Sequence, residues 1–121
     1  MPGRPPTPDL SNRARGRWGE DLAAAHYRRL GYHVLDRNWR SPTGELDLVV
    51  RVGETIVFSE VKARRTDRFG PAAGAVTVDK QRRIRQLAVE WLRANDLRCD
   101  SIRFDVVAIT GTKLDLITAA F

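Results

Sequence analysis

The chain has almost no sulfur chemistry to offer. Its one cysteine, Cys99, cannot close an internal disulfide, and with only His26 and His33 beside it no zinc site of Cys/His spacing can be assembled. Long apolar runs are missing as well. No stretch approaches a membrane span, and the opening MPGRPPTPDL lacks the apolar core of a secretory signal, so a reducing, cytoplasmic setting with no membrane partner is the expectation. A Gly-rich phosphate loop is also absent, which counts against a hydrolase of small phosphorylated substrates. Lysine is scarce: only Lys62, Lys80 and Lys113 occur, so arginine makes up the rest of the 21 basic residues. Arginine forks onto phosphate oxygens in pairs, although a codon bias would give the same count. Against 15 acidic residues the net charge is +6, which points toward a polyanion without naming one.

What remains is enough for one core, at 121 residues. Residues 1–10, rich in proline, read as a disordered tail and 11–121 as a single domain. Ser11 or Asn12 can cap a first helix running to about Leu30, where Gly31 supplies the stop. Ala23, Tyr27 and Leu30 recur there at helical spacing, and Glu20 falls on the same packed side. Tyr32 to Asn38 is predicted as a strand, followed by the loop RSPTG. Glu45 to Val52 and Thr55 to Ala63 are the next two strands, joined by Gly53-Glu54, where glycine can take the positive φ of a hairpin turn. Arg64 to Val78 is a connector, expected to move freely when nothing is bound. Ile84, Leu87, Ala88, Trp91 and Leu92 then fit the stripe of an amphipathic helix, and Ile102 to Ile109 and Leu114 to Ala120 close the chain as two strands. The order α-β-β-β-α-β-β, with helices flanking a mixed central sheet, is an α/β sandwich.

The informative feature is charge inside the second and third strands. Around a two-residue turn at Gly53-Glu54, Val52 faces Thr55; counting outward, Asp47 faces Glu60 and Glu45 faces Lys62. A four-residue loop keeps that register and a three-residue loop breaks it. Strand alternation then puts all four side chains on one face. Facing acids with Cβ atoms roughly 5 Å apart repel, and destabilise the sheet unless something positive lies between them. Two such carboxylates form a hard-oxygen site suited to Mg²⁺ or Mn²⁺ rather than zinc. Protonated Lys62 cannot be a ligand, but it can orient a water, neutralise a phosphate oxygen or, with a pKa lowered by burial, help deprotonate a nucleophile. Glu20 could add a third carboxylate from the helix. A lone Glu-x-Lys is usually a solvated ion pair. Here the apolar residues around SEVK bury the strand, and buried acids without partners are costly.

These residues carry a resemblance. A helix acid, an Asp near the end of one strand and a (D/E)-x-K on the next are similar to the PD-(D/E)-x-K nuclease superfamily, which includes restriction endonucleases and Holliday junction resolvases. More closely, RWGEDLAAAHYRRLGYHVLDRNWRSPTGELDLVV, IVFSEVKAR, FGPA and RFDVV resemble the YraN-like bacterial family of that superfamily, over about Gly16 to Ile109. The resemblance implies a restriction endonuclease-like sandwich. It also implies catalytic roles for Glu20, Asp47, Glu60 and Lys62, with Mg²⁺ or Mn²⁺ held by Glu20, Asp47 and Glu60; Glu45 is a neighbour to which the motif gives no role. Leu46 stands where the motif usually has proline, and Ser59 where a hydrophobic residue is expected.

Arg37, Arg40, Arg64, Arg65 and Arg68, with Lys80 and Gln81 at the start of the second helix, are the expected nucleic-acid contacts. Asp105 reads as a structural acid paired with an arginine. Trp91 and Trp18 read as core, whereas Trp39, beside Arg37 and Arg40, has a setting that suits stacking on a base. The expectation is a metal-dependent nuclease acting on nucleic acid, DNA ahead of RNA, that recognises a branch or flap rather than a sequence and works as a homodimer. The alternative is a non-catalytic nucleic-acid-binding scaffold that keeps the fold.

Overall fold

The computed structural model describes residues 8–64 and 76–121, with side chains described from residue 16 onward. The elements are α1 (Pro8–Arg29), β1 (His33–Ser41), β2 (Gly44–Val52), β3 (Thr55–Arg64), α2 (Val78–Ala94), β4 (Ser101–Thr110) and β5 (Lys113–Ile117). They form the expected α-β-β-β-α-β-β order. One five-stranded sheet runs β1-β2-β3-β4-β5 in space. Neighbours pair antiparallel except β3 and β4, which are parallel because α2 carries the chain across between them.

Each face of the sheet buries one helix. On one side Ala23, Ala24 and Tyr27 of α1 pack on Leu48, Val50, Val57, Val107 and Ile109. On the other, Ile84, Leu87, Ala88 and Trp91 of α2 pack on Leu46, Val49, Ile56, Phe58, Phe104 and Val106, with Leu92 at the margin. The α2 stripe is therefore the one its spacing implies. Thr77 caps that helix by accepting from the Lys80 N–H at 3.2 Å, and Asp79 in the first turn complements the helix dipole. Gly31 ends α1 at φ 92°, where the Tyr32 N–H reaches back to the Tyr27 carbonyl at 3.0 Å.

Several boundaries differ from the sequence reading. The first helix begins at Pro8, ahead of Ser11 or Asn12, and proline at a first helical position has no N–H to leave unpaired. Leu30 is 53% exposed, because the chain has already turned away from the sheet, and Ala24 takes its place in the core. The RSPTG segment is not an open loop: Ser41 pairs with Gly44, so only Pro42 and Thr43 turn the corner. The last strand stops at Ile117, where Ala119 adopts φ 49°. Trp18 is 43% exposed rather than core. Trp39 is partly buried and packs against the α2-side core. The connector at 65–75 lies outside the described residues, and with it Arg65 and Arg68. Among the described residues no helix is long and apolar enough to cross a membrane.

Two irregularities distort the sheet. A bulge lies at Leu35 of β1, between the Val34 and Asp36 pairings, and Asn38 further along takes φ 54°, a left-handed conformation that asparagine tolerates better than most residues. Asn38 lies beside Asp47 on the neighbouring strand. At that point the alternation of β2 breaks, for Leu48 packs on the α1 side and Leu46 on the α2 side. In addition, the β2–β3 ladder follows the expected register from Val52↔Thr55 only as far as Leu48↔Ser59. Beyond it β2 stays with β1 as far as Gly44, and β3 stays with β4 as far as Arg64. The two central strands part.

Candidate active site

The cleft opened by that parting has a volume of about 560 Å³ and is lined by Glu20 from α1, Glu45 and Asp47 from β2, Glu60 and Lys62 from β3, and Lys80 and Arg83 from α2. Each charged side chain arrives for a local reason. Gly19 lets α1 lean on β3 so closely that a Cβ there would stand 2.9 Å from the Ala63 Cβ. Glu20, the next residue, is thereby pressed toward the cleft. Its carboxylate accepts from Asn38 Nδ2 at 3.0 Å, with Arg37 at 4.0 Å. The left-handed turn of Asn38 is what lets a β1 side chain serve a helix acid.

Asp47 sits where the ladder ends. Its Oδ2 accepts the Val61 N–H at 2.9 Å, capping a strand that has lost its antiparallel neighbour. Burial, followed by the adjacent Glu60 carboxylate, pushes the Asp47 carboxyl up to about 8, against the pull of that backbone hydrogen bond; Glu20 adds to the rise. Burial likewise raises Glu20, although Asn38 and Arg37 oppose it. The repulsion expected between Asp47 and Glu60 from register alone thus shows as a proton that Asp47 holds more tightly.

Glu45 does not share the face of Glu60 and Lys62, as strict alternation would have it. The break at Asp47 turns it to the α1 side, and carboxylate oxygens of Glu20, Glu45 and Asp47 all lie within 4.8 Å of one another. Arg40 pairs with Glu45 at 3.0 Å from the exposed side. On the α2 side, Glu60 is held by Lys80 at 2.6 Å, with Lys62 at 3.8 Å from the same oxygen. Burial lowers the Lys62 ammonium, and the Lys80 charge beside it lowers it further. Burial is the largest single influence on the Lys80 ammonium and lowers it, but the hydrogen bonds to Glu60 and Lys62 and the charges of Glu60 and Asp47 together outweigh it, and the group ends above its ordinary value. The site therefore has two halves, three carboxylates under α1 and a carboxylate with two lysines under α2, and Asp47 touches both.

The other expected contacts are more dispersed. Arg37 is tied to Asp21 at 2.6 Å, and Arg64 closes β3 opposite Thr110 of β4. Gln81 does not face the cleft: its amide donates to the Val76 carbonyl at 3.1 Å, pinning the entry to α2. Asp105 is structural, as expected. It is wholly buried and accepts from Arg103 Nε at 2.9 Å and from the Ala119 N–H at 3.0 Å. The Tyr27 hydroxyl lies 2.8 Å from Asp105 and 2.9 Å from Ser59. Its one proton goes to the carboxylate, so the Ser59 hydroxyl donates to it. A hydrophobic residue at position 59 would leave that phenol short of a partner. Sequence reasoning missed Asn38 and left Glu45 without a role.

A mixed five-stranded sheet between two helices, with acids and lysines gathered where its central strands part, defines a small domain of the restriction endonuclease-like sandwich class. The profile described as "Uncharacterised protein family UPF0102" matches residues 19–109, and the chain belongs to that family. A UPF0102 protein of Rhodococcus opacus (strain B4) is 54% identical over 98 residues, covering 81% of this chain and 83% of the relative. One from Geobacter sulfurreducens is 46% identical over 115 residues, covering 91% and 90%. The matched span contains every charged residue that lines the cleft.

Proposed function

We propose that the protein is a nuclease that depends on a divalent cation, Mg²⁺ or Mn²⁺, and hydrolyses phosphodiester bonds. The observation that carries this reading is the convergence of the Glu20, Glu45 and Asp47 carboxylates within 4.8 Å beside a lysine-bearing strand. The donors fit such an ion, being oxygens only, and a carboxyl pushed up to about 8 by burial and then by the adjacent Glu60 marks a site where a cation would favour ionisation. Glu20, Glu45 and Asp47 would hold the ion, with Glu60 adjoining. When bound it would supply Lewis-acid polarisation of a phosphoryl oxygen and of the attacking water. Lys62, on the far side of Asp47, would neutralise a phosphate oxygen. Its lowered pKa also leaves more of it as the free amine, the form that can accept a proton, than in an ordinary lysine. Arg83 and Arg40 at the cleft margin suit backbone contact, which carries no sequence information. A branched or flapped DNA is therefore the first substrate to test, and two copies of the chain would serve one with two scissile strands.

The test is cleavage of single-stranded, duplex, flapped and branched DNA, and the matching RNAs, with Mg²⁺ or Mn²⁺. Asp47→Asn is expected to lower cleavage on the order of 10³-fold, equivalent to several kcal/mol of transition-state stabilisation, while binding stays intact or tightens. Lys62→Ala should also stop cleavage but leave Mn²⁺ affinity nearly unchanged. If the wild type cuts nothing on the panel and shows no Mn²⁺-dependent rise in melting temperature that Asp47→Asn removes, a nucleic-acid-binding scaffold replaces the nuclease.

A further inference from the structure

Glu60 is the best-shielded acid of the cleft, with its side chain 6% exposed, and a carboxylate in that position requires a counter-charge. Two ammoniums approach the same Oε1, but only Lys80, at 2.6 Å, is within hydrogen-bond distance; Lys62 stands at 3.8 Å. The two lysines reach that oxygen from different elements. Lys62 projects from β3 where that strand is paired with β4 at Ala108, so its backbone is fixed by the sheet. Lys80 reaches in from the first turn of α2 on a flexible four-carbon stem and is one-third exposed. Its own N–H is held by Thr77, independently of where the side chain points, so the ammonium can leave without disturbing the helix.

We propose that Lys80 is a displaceable counterion, which fills the cation position of Glu60 while the cleft is empty and is released toward a phosphate oxygen when a divalent ion binds beside Asp47. The inference rests on the nuclease reading of the same cleft. A doubly charged ion next to Asp47 and an ammonium bonded to the adjacent Glu60 repel each other across a few ångströms of partly desolvated space. Lys80, as the ammonium bonded to Glu60, is the one displaced. Metal binding and phosphate binding are then linked through one side chain, so each favours the other.

Calorimetric titration of Mn²⁺ into wild type and Lys80→Met, with melting curves of both, tests the first half. Lys80→Met should melt lower without metal, because Glu60 has lost its close partner, yet bind Mn²⁺ about tenfold tighter, a common size for coupling within one site. Equal Mn²⁺ affinity in the two proteins would overturn the inference and leave the nuclease reading standing. A wild type that binds no Mn²⁺ overturns both. The second half is read from the affinity for a labelled oligonucleotide in EDTA and in Ca²⁺. The loss on Lys80→Met should be several-fold larger in Ca²⁺, where wild-type Lys80 is released; the same loss in both buffers means that Lys80 never lets go. If Lys80→Met fails to fold, Lys80→Gln, which keeps a donor without the charge, carries the same comparisons.

Discussion

Asp105 and Asp47 lie on two inner strands of one sheet, β4 and β2, and each has an acid's reason not to be there. Around Asp105 the chain has assembled donors: the Tyr27 hydroxyl, two nitrogens of Arg103 and the Ala119 N–H. Burial raises the Tyr27 phenol above its ordinary value, which keeps it a neutral donor. Hydrogen bonds to Asp105 raise the Arg103 guanidinium, which keeps it charged. Around Asp47 the chain has assembled more acids, and the protein donor described for its carboxylate is the Val61 N–H. An acid inside a completed network is part of the architecture. One left among other acids, in a cleft, has a deficit that a cation would make up.

The largest expected effect tests the first half of that contrast. Asp105→Ala leaves Arg103 as a poorly compensated charge and the Tyr27 hydroxyl without its acceptor, and breaking such a buried pair costs about 3–5 kcal/mol. Urea or thermal unfolding should show this loss. Asp47→Asn, an equally drastic removal of charge by formula, should leave the metal-free fold as stable as before or more so, since it removes an acid whose ionisation burial and Glu60 oppose. If Asp47→Asn destabilises the metal-free protein as much as Asp105→Ala does, the two acids are equivalent and the contrast fails.

The next effect is one of pH. The Asp47 carboxyl is pushed up to about 8 in the folded chain, against roughly 3.9 for an unperturbed aspartate. Below the unfolded value both states hold the proton and Asp47 contributes nothing to the pH dependence. Above it the unfolded chain releases its proton while the folded chain keeps it, so stability falls as pH rises, by up to about 1.4 kcal/mol per pH unit, until the folded group also ionises near pH 8. Melting temperatures from pH 5 to 8 without metal should therefore fall more steeply for wild type than for Asp47→Asn. Saturating Mn²⁺ should flatten the wild-type curve, and parallel curves for wild type and Asp47→Asn would refute the assignment.

The same two acids show how much the chain's pattern discloses. Period-two spacing and the Gly53-Glu54 turn were enough to bring Asp47 next to Glu60, because a hairpin register is local and the ladder holds it from Val52 to Leu48. The stripe Ile84, Leu87, Ala88 and Trp91 was legible for a similar reason, being set by helical geometry within one element. Glu45 was not. Its turn toward Glu20 follows from the left-handed Asn38 and from the break in alternation beside it, and neither leaves a mark in hydrophobic periodicity. The bond between Lys80 and Glu60 depends on how α2 docks over β3, which no spacing encodes. The arginine partner of Asp105 was within reach because Arg103 lies two residues away on the same strand face.

The smallest expected effect concerns the element that serves both acids. Helix α1 sends Tyr27 to Asp105 and, two turns earlier on the same side, Glu20 to the cleft, and the second placement depends on Gly19 lying against Ala63. Adding a methyl group there meets the Ala63 Cβ at 2.9 Å, closer than two such carbons approach, so this end of the helix must lift away from β3. Alanine in a helix is worth about 1 kcal/mol over glycine, while overpacking costs about 1–3 kcal/mol, so Gly19→Ala should change stability by no more than about 2 kcal/mol. Its effect on the two acids should differ. Glu20 recedes from Asp47, and Mn²⁺ affinity should fall several-fold, whereas Tyr27 keeps its hydrogen bond because the helix pivots about its Tyr27 end. Combining Gly19→Ala with Ala63→Gly removes the clash and should restore Mn²⁺ affinity even though the second change weakens the strand. Mn²⁺ binding that stays at the wild-type level in Gly19→Ala would show that Glu20 takes no part in holding the ion, and that the acids of β2 and β3 act without the helix.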